Sequence, residues 1–162
     1  MRVLALYYTH KPGGFCKRLY RLLDALTKRG HDVLYLSLDK PPDSLSSLVT
    51  WKQIPFPPQN RRGIVFWVLF TLWCPIYSAW NAIKFRPDRY LAFNPFYSAV
   101  LLFAKIVRPT PTVLFLRSLV FMINRVTAKS RFLCYLSDSI DRFGLYLASK
   151  VVCMTEAMRL DL

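Results

Sequence analysis

The sequence predicts an α/β fold, a Rossmann-like parallel sheet with helices on both faces. Residues 1–38 read as strand, glycine loop, helix and strand, which is one βαβ unit. Four more short apolar segments follow, each bounded by polar or proline-containing stretches. A chain of 162 residues has the length of one domain and is short for a two-domain enzyme. We therefore expect a single Rossmann-like domain over residues 1–162.

The first unit follows from apolar periodicity and from the placement of glycine. Residues 2–8 are apolar and aromatic and predict a strand, and the Lys-Pro-Gly-Gly segment after it predicts a loop. Over residues 15–29 leucines recur at spacings of three and four, which indicates a helix with one apolar face. Gly30 ends that helix, and residues 33–38 are a continuous apolar strand of the kind that is covered on both faces.

Proline and polar residues delimit the later elements. Strands are predicted over residues 49–54, 89–93, 112–116 and 150–154. A helix is predicted over residues 96–107, where Arg108 and Pro109 stop it. The last helix is predicted to start near Ser137 or Ser139 and to run to about residue 149.

Residues 64–83 form an uncharged stretch of a length that could cross a membrane. A crossing would separate the strands before it from those after it, although one sheet needs them all. Its polar residues also share a narrow helical stripe, and Pro75 predicts a kink. That stripe consists of Thr71, Cys74, Ser78 and Asn81. Three alternatives stay open: a helix lying in the membrane surface, a buried core helix, and a true span.

The chain is strongly basic, with 23 Lys and Arg against 9 Asp and Glu and a net charge of +14. Such a field attracts polyanions. An apolar content of 54%, with four Trp and twelve Phe, favours an anionic membrane surface over nucleic acid as the partner. The predicted membrane contacts are Arg61, Arg62, Trp67, Trp73, Trp80, Arg125, Lys129 and Arg131.

The cysteines and histidines give no sign of a metal site. The four cysteines are irregularly spaced without a CxxC pair, and there are two histidines. We expect buried, reduced thiols in a cytosolic compartment and no metal. The first apolar run is too short for a secretory signal.

Several segments, in this order, resemble the N-terminal domain of the family-four, GT-B-type glycosyltransferases. The opening Met-Arg-Val-Leu strand, the Pro-Gly-Gly loop, a Leu-x-x-Ala-Leu helix and Arg-Gly-His-Asp-Val match the start of that domain. The Lys-Phe-Arg-Pro-Asp segment at 84–88 is similar to the entry to its fourth strand. Residues 148–156 are similar to a strand of the family that ends in Ser-Glu, with Thr155 in place of the serine.

The resemblance implies sugar transfer from a nucleotide-sugar donor to a glycan or lipid-linked acceptor, usually without a metal and with no cofactor. The donor is held mainly by a second, C-terminal domain. Residues 1–162 would then be the acceptor-side half of a truncated or split enzyme, inactive alone and peripheral on the cytoplasmic face of a membrane. The alternatives are a non-catalytic, membrane-attached subunit of a split glycosyltransferase, and an integral membrane protein anchored by residues 64–83.

Candidate substrate-binding residues follow the strands, because ligands of open parallel sheets bind at the carboxyl ends. Two glycines before a helix expose backbone N–H groups to a phosphate or a sugar hydroxyl, although they could also only make a tight turn. The absence of GxGxxG after the first strand argues against a nicotinamide enzyme. The candidates are His10, Gly13, Gly14, Asn94, Arg117 and Glu156.

Arg117 departs from the resembled family, many of whose members carry a histidine at this strand end. A guanidinium cannot act as a base, but it can bind a phosphate in bidentate fashion. His10 could equally be a loop histidine bonded to backbone, and Glu156 could accept N–H bonds in the first turn of a helix. No catalytic residue is assigned from the sequence.

Overall fold

The computed structural model describes residues 1–9, 14–43, 45, 47–56, 64–116 and 131–153. Its centre is a six-stranded sheet in the order β3-β2-β1-β4-β5-β6, and every neighbouring pair is parallel. The predicted Rossmann-like α/β fold is thereby confirmed. The strands are β1 (Arg2–Leu6), β2 (Asp32–Ser37), β3 (Thr50–Gln53), β4 (Arg89–Ala92), β5 (Thr112–Leu116) and β6 (Lys150–Cys153).

Helices connect the strands and cover the sheet. The bounds are α1 (Gly14–Lys28), α2 (Ile64–Phe85), α3 (Pro95–Val100), α4 (Leu102–Val107) and α5 (Arg131–Leu147). The step from β1 to β2 runs opposite to the steps from β3 to β4 and from β5 to β6. Because parallel crossovers are right-handed, α1 lies on one face of the sheet, and α2 and α5 lie on the other.

Two predicted helices differ from the observed ones. The single helix expected over residues 96–107 is divided at Leu101, whose ψ of 1° interrupts the helical backbone between α3 and α4. The predicted start of α5 at Ser137 or Ser139 was wrong, because the helix begins at Arg131. The Ser139 hydroxyl donates to the carbonyl oxygen of Tyr135, four residues earlier (2.9 Å), so it bonds back into the helix instead of capping it.

The core lies on both sides of the central strands. In β1, residues 3–6 are all buried, and in β2 residues 33–37 are all buried. This explains the apolar runs at residues 3–6 and 33–36, since each Val or Leu side chain contributes about 1.5–3 kcal/mol when it leaves water. The edge strands β3 and β6 are largely exposed or half-buried.

Helix α2 connects β3 to β4, which are strands of the same sheet. It continues as a helix through Pro75, and the predicted kink stays a prediction. Strand β1, before α2, pairs directly with β4, after α2, with Leu4 opposite Tyr90. Among the described residues α2 is one helix that is long and apolar enough to cross a membrane. The β1–β4 pairing opposes a crossing, because a span would place those strands on opposite sides of a bilayer.

Candidate functional site

All six strands point the same way, so their carboxyl ends meet at one edge of the sheet. Strands β1 and β2 remain joined beyond their last residues, where the backbone N–H of Leu38 donates to the carbonyl oxygen of Tyr8 (2.8 Å). Gly14 begins α1 after the loop that follows β1, and Asn94 follows β4. The sheet therefore brings together two of the predicted substrate-binding residues, Gly14 and Asn94, at its carboxyl edge.

Gly14 lies against open space. A Cβ built on it would meet nothing within 4 Å, and its φ lies outside the left-handed region. Neither packing nor backbone conformation therefore requires glycine here. The first turn of a helix carries N–H groups without intrahelical partners, and here a ligand can approach them closely.

Asn94 caps α3. Its backbone is extended, with φ −174° and ψ 151°, and its Oδ1 accepts from the backbone N–H of Phe96 (3.0 Å). Pro95 follows in the first helical position, where its missing N–H costs nothing. The cap uses one of the two lone pairs of the amide oxygen. The NH₂ group of Asn94 can donate to a ligand without disturbing the cap.

A chain of polar groups links the ends of β1 and β2 to β3. The Thr9 hydroxyl donates to the Asp39 carboxylate, and the Ser37 hydroxyl donates to the Asp39 carbonyl oxygen (2.7 Å). The indole N–H of Trp51 donates in turn to the Ser37 oxygen (2.9 Å). These bonds fix Asp39 at the site edge. Neither Thr9 nor Asp39 was among the predicted site residues, although both directly follow predicted strands.

Aromatic rings form the floor beneath this edge. The ring of Tyr7 lies 5.1 Å from Phe15 and 5.3 Å from Tyr97, and Tyr8 stacks on Tyr97 at 6.3 Å. Burial, with the nearby Tyr7 and Tyr8, raises the pKa of Tyr97 well above its ordinary value, so its phenol stays protonated and is no base. The paired tyrosines after β1 were the sequence signal for this floor. The sequence did not show that rings from α1 and α3 would join them.

Several predicted site residues lie outside the described residues. His10, Gly13, Arg117 and Glu156 are in this group, as are the predicted membrane contacts Arg61, Arg62, Arg125 and Lys129. Arg131 begins α5, and its side chain is not described. In the described part of the chain, no three His, Cys, Asp or Glu side chains are placed to hold a metal ion.

The three tryptophans predicted to contact a membrane do not lie on one side of α2. Trp67 is half-buried, and its ring centroid is 5.3 Å from Tyr8 and 5.8 Å from Phe96. Trp73 and Trp80 are exposed on the outer side of the helix. Trp67 thus packs at the end of α2 that is nearest the candidate site.

The family is decided by a profile called Glycosyltransferase Family 4, which matches residues 12–162. The chain belongs to Glycosyltransferase Family 4. The sequence resemblance is thereby confirmed. A search of curated proteins found no match.

Solved structures share the fold of this family 4 domain. A sucrose-phosphate synthase from Thermosynechococcus elongatus superposes with a TM-score of 0.65 at 12% identity, over 94% of this chain and 47% of that one. A Listeria monocytogenes protein described as a UDP-N-acetylglucosamine 2-epimerase superposes with a TM-score of 0.64 at 12% identity, over 99% of this chain and 41% of that one. Anabaena HepE in complex with UDP-glucose superposes with a TM-score of 0.60 at 18% identity, over 99% of this chain and 39% of that one. The chain spans less than half the length of each of these proteins, and the likeness shows the fold alone.

Proposed function

We propose that this family 4 domain is the acceptor-side half of a glycosyltransferase working at the cytoplasmic face of a membrane. It would transfer a sugar from a nucleotide-sugar donor to a glycan or lipid-linked acceptor. The family match over residues 12–162 carries the proposal. HepE, which shares the fold, was solved with UDP-glucose, and this supports a nucleotide-sugar as the donor. The donor is a co-substrate, and the proposal includes no metal or cofactor.

The open carboxyl edge is the proposed acceptor side of the cleft. The N–H groups of the first turn of α1 would donate to a sugar hydroxyl or a phosphate approaching Gly14. The Asn94 NH₂ group would add a donor from the end of β4. The Asp39 carboxylate, which accepts from the Thr9 hydroxyl, lies at the same edge. Arg117 would neutralise a phosphate from the end of β5.

The test is sugar transfer by the protein in which this domain works with a donor-binding domain, on the same chain or on a second subunit. Gly14→Ala should lower kcat/KM about tenfold or more, because its methyl group enters the open space that a ligand needs. Its melting temperature should be unchanged.

The matched control is Gly30→Ala at the other end of α1. Gly30 has a φ of 77°, so alanine there should cost about 1–2 kcal/mol of stability and leave kcat/KM unchanged at a temperature where the fold is intact. If Gly14→Ala transfers sugar as fast as the parent, the acceptor does not bind at this edge.

Residues 1–162 alone should bind nucleotide-sugars weakly, with dissociation constants in the millimolar range, about −4 kcal/mol. The reason is that the donor contacts are proposed to come from the second domain. Isothermal calorimetry measures this directly. Micromolar binding would overturn the assignment to the acceptor side.

A further inference from the structure

Helix α2 turns three polar side chains inward, beside the buried Phe66 and Phe70, and leaves many of its apolar side chains exposed. Cys74 and Ser78 are 0% exposed and Asn81 is 2% exposed, whereas Leu72 is 64% and Trp80 57% exposed. A helix that bounds a protein against water has the opposite arrangement. The predicted polar stripe is therefore confirmed for these three residues, which face the protein, and it was wrong for Thr71, which is exposed.

The buried polar groups are satisfied locally. The Ser78 hydroxyl donates to the Pro75 carbonyl oxygen (2.9 Å), and the Asn81 side-chain NH₂ donates to the Tyr77 carbonyl oxygen (2.9 Å). The Lys52 ammonium donates to the Asn81 side-chain oxygen (3.4 Å). These bonds keep the polar groups inside, so that the outward apolar side is a stable feature of the fold.

Helix α4 continues this apolar surface. It packs beside α2, and Ile106 is 65% exposed. Single exposed apolar residues are ordinary, but a large exposed patch on two neighbouring helices marks an interaction surface. We call it the α2–α4 face. It consists of Val65, Val68, Leu69, Leu72, Trp73, Ile76, Trp80, Ile83, Phe103, Ile106 and Val107.

Cations stand at the end of the α2–α4 face. The Lys84 ammonium lies 4.4 Å from the centre of the Trp80 ring, and Arg86 and Arg108 are exposed directly after α2 and α4. Neither helix sequence contains an acid, and the nearby Asp88 accepts from the backbone N–H of Arg2 (2.7 Å). Apolar side chains bordered by Trp and Lys or Arg complement an anionic lipid surface.

We propose that the α2–α4 face lies in the plane of an anionic membrane surface. Its apolar side chains insert among acyl chains, while Lys84, Arg86 and Arg108 contact the headgroups. A crossing helix is incompatible with the β1–β4 pairing. The inference deepens, and rests on, the membrane part of the proposed function. Since Trp67 contacts Tyr8 at the site edge (5.3 Å), this orientation also holds the acceptor cleft beside the membrane, which favours a lipid-linked acceptor.

The depth of single tryptophans tests this orientation. Full-chain variants retaining Trp73, Trp80 or Trp51 alone, with phenylalanine at the other tryptophan positions, are mixed with phosphatidylcholine–phosphatidylglycerol vesicles carrying brominated acyl chains. Trp73 and Trp80 should be quenched at the same shallow depth. Trp51 is the control, because it is half-buried and bonded to Ser37, on the face of the sheet that packs against α1. The next residue of β3, Lys52, points to the other face and reaches Asn81 of α2, so Trp51 should not be quenched.

Two results would overturn the proposal. Unquenched Trp73 and Trp80 would show that the face does not meet lipid. Depths differing by about 10 Å would indicate a span, because seven residues of helix rise by that amount.

Partition of variants into vesicles tests which residues contribute. Ile76→Gln and Ile106→Gln should each weaken partition about tenfold. Arg86→Gln should weaken it about fivefold on anionic vesicles and not on phosphatidylcholine alone. Its matched control is Arg21→Gln, an exposed cation of α1 on the opposite face of the sheet, which should have no effect.

If Arg21→Gln weakened partition into anionic vesicles as much as Arg86→Gln does, the binding would be a general attraction between charges, and the assigned face would be wrong. So would parent-like partition of Ile106→Gln. Partition needs no donor or catalysis. Sugar transfer to a soluble acceptor in detergent tests the proposed function separately. The membrane proposal and the proposed sugar transfer can therefore fail independently of each other.

Discussion

Helix α5 packs against the start of α3 through Gly144, and alanine at this position should destabilise the domain. A Cβ on Gly144 would lie 1.9 Å from the carbonyl oxygen of Pro95 and 2.5 Å from its carbonyl carbon. Ordinary contact begins at 3.4 Å, so the helices must separate by about 1.5 Å to admit the methyl group. The opposing atoms belong to the backbone, and no side-chain rotation can relieve the clash.

The net loss should be about 2 kcal/mol. Overpacking at the upper end of its usual range costs about 3 kcal/mol, and replacing glycine by alanine inside a helix returns about 1 kcal/mol. With a urea slope of about 2 kcal/mol per molar, the unfolding midpoint should fall by about 1 M. The melting temperature should fall by about 4–8 °C.

Gly14→Ala is the matched control for this prediction, because its Cβ would meet nothing within 4 Å. It should change the free energy of unfolding by less than about 0.5 kcal/mol. A Gly144→Ala midpoint equal to that of the parent would refute the close α3–α5 contact. Because Pro95 follows Asn94, a shifted amide resonance of Asn94 should accompany the loss.

Three further predictions concern stability. Tyr90→Phe should cost about 1 kcal/mol in urea unfolding, because the hydroxyl donates to the carbonyl oxygen of Ala104 (2.8 Å) within α4; an unchanged midpoint would contradict this. Burial raises the pKa of Tyr20 from its ordinary value of 10.0 to about 12, and that of Cys74 from 9.0 to about 12. As the pH rises, the unfolded chain therefore releases these two protons at a lower pH than the folded chain does. The stabilisation that these two groups contribute should therefore be fully present below about pH 9 and be lost between about pH 9 and 12, and constant midpoints from pH 8 to 11 would be inconsistent with that burial. Arg86 has a φ of 53°, a backbone conformation that is strained for arginine. Arg86→Gly should raise the melting temperature by about 1–2 °C, because the relief of this strain slightly exceeds the conformational entropy that glycine adds to the unfolded chain. A melting temperature below that of the parent would argue against this backbone conformation.

The strands could be predicted well because their signal is local. Strand β5 was predicted over its observed range, and the others within a few residues, since buried parallel strands are continuous apolar runs. The prediction of where α5 starts was wrong because a serine side chain can either cap the start of a helix or bond back into the helix. A side chain that caps and one that bonds back four residues have the same local sequence, and Ser139 does the second.

The site could be predicted only at the level of the strand ends. That Gly14 and Asn94 share an edge follows from parallel strands alone. The open space beside Gly14 and the aromatic floor depend on which rings the sheet brings together, as with Tyr7 and Tyr97, which are 5.3 Å apart. Likewise, the polar stripe of α2 could be read from the sequence. Its inward direction is set by how α2 packs on the sheet and α4.

The α2–α4 face and the carboxyl edge are different surfaces of the domain, and this bears on what can cover the apolar patch. In the proposed function a second, donor-binding domain faces this one across the loops at the carboxyl edge. The α2–α4 face lies on the flank of the sheet, so a donor domain placed at the edge would leave most of it uncovered. The two surfaces meet at Trp67, which packs against Tyr8. In the proposed arrangement, therefore, a membrane and a donor domain can bind at the same time, and an acceptor held in the membrane reaches the cleft at that junction.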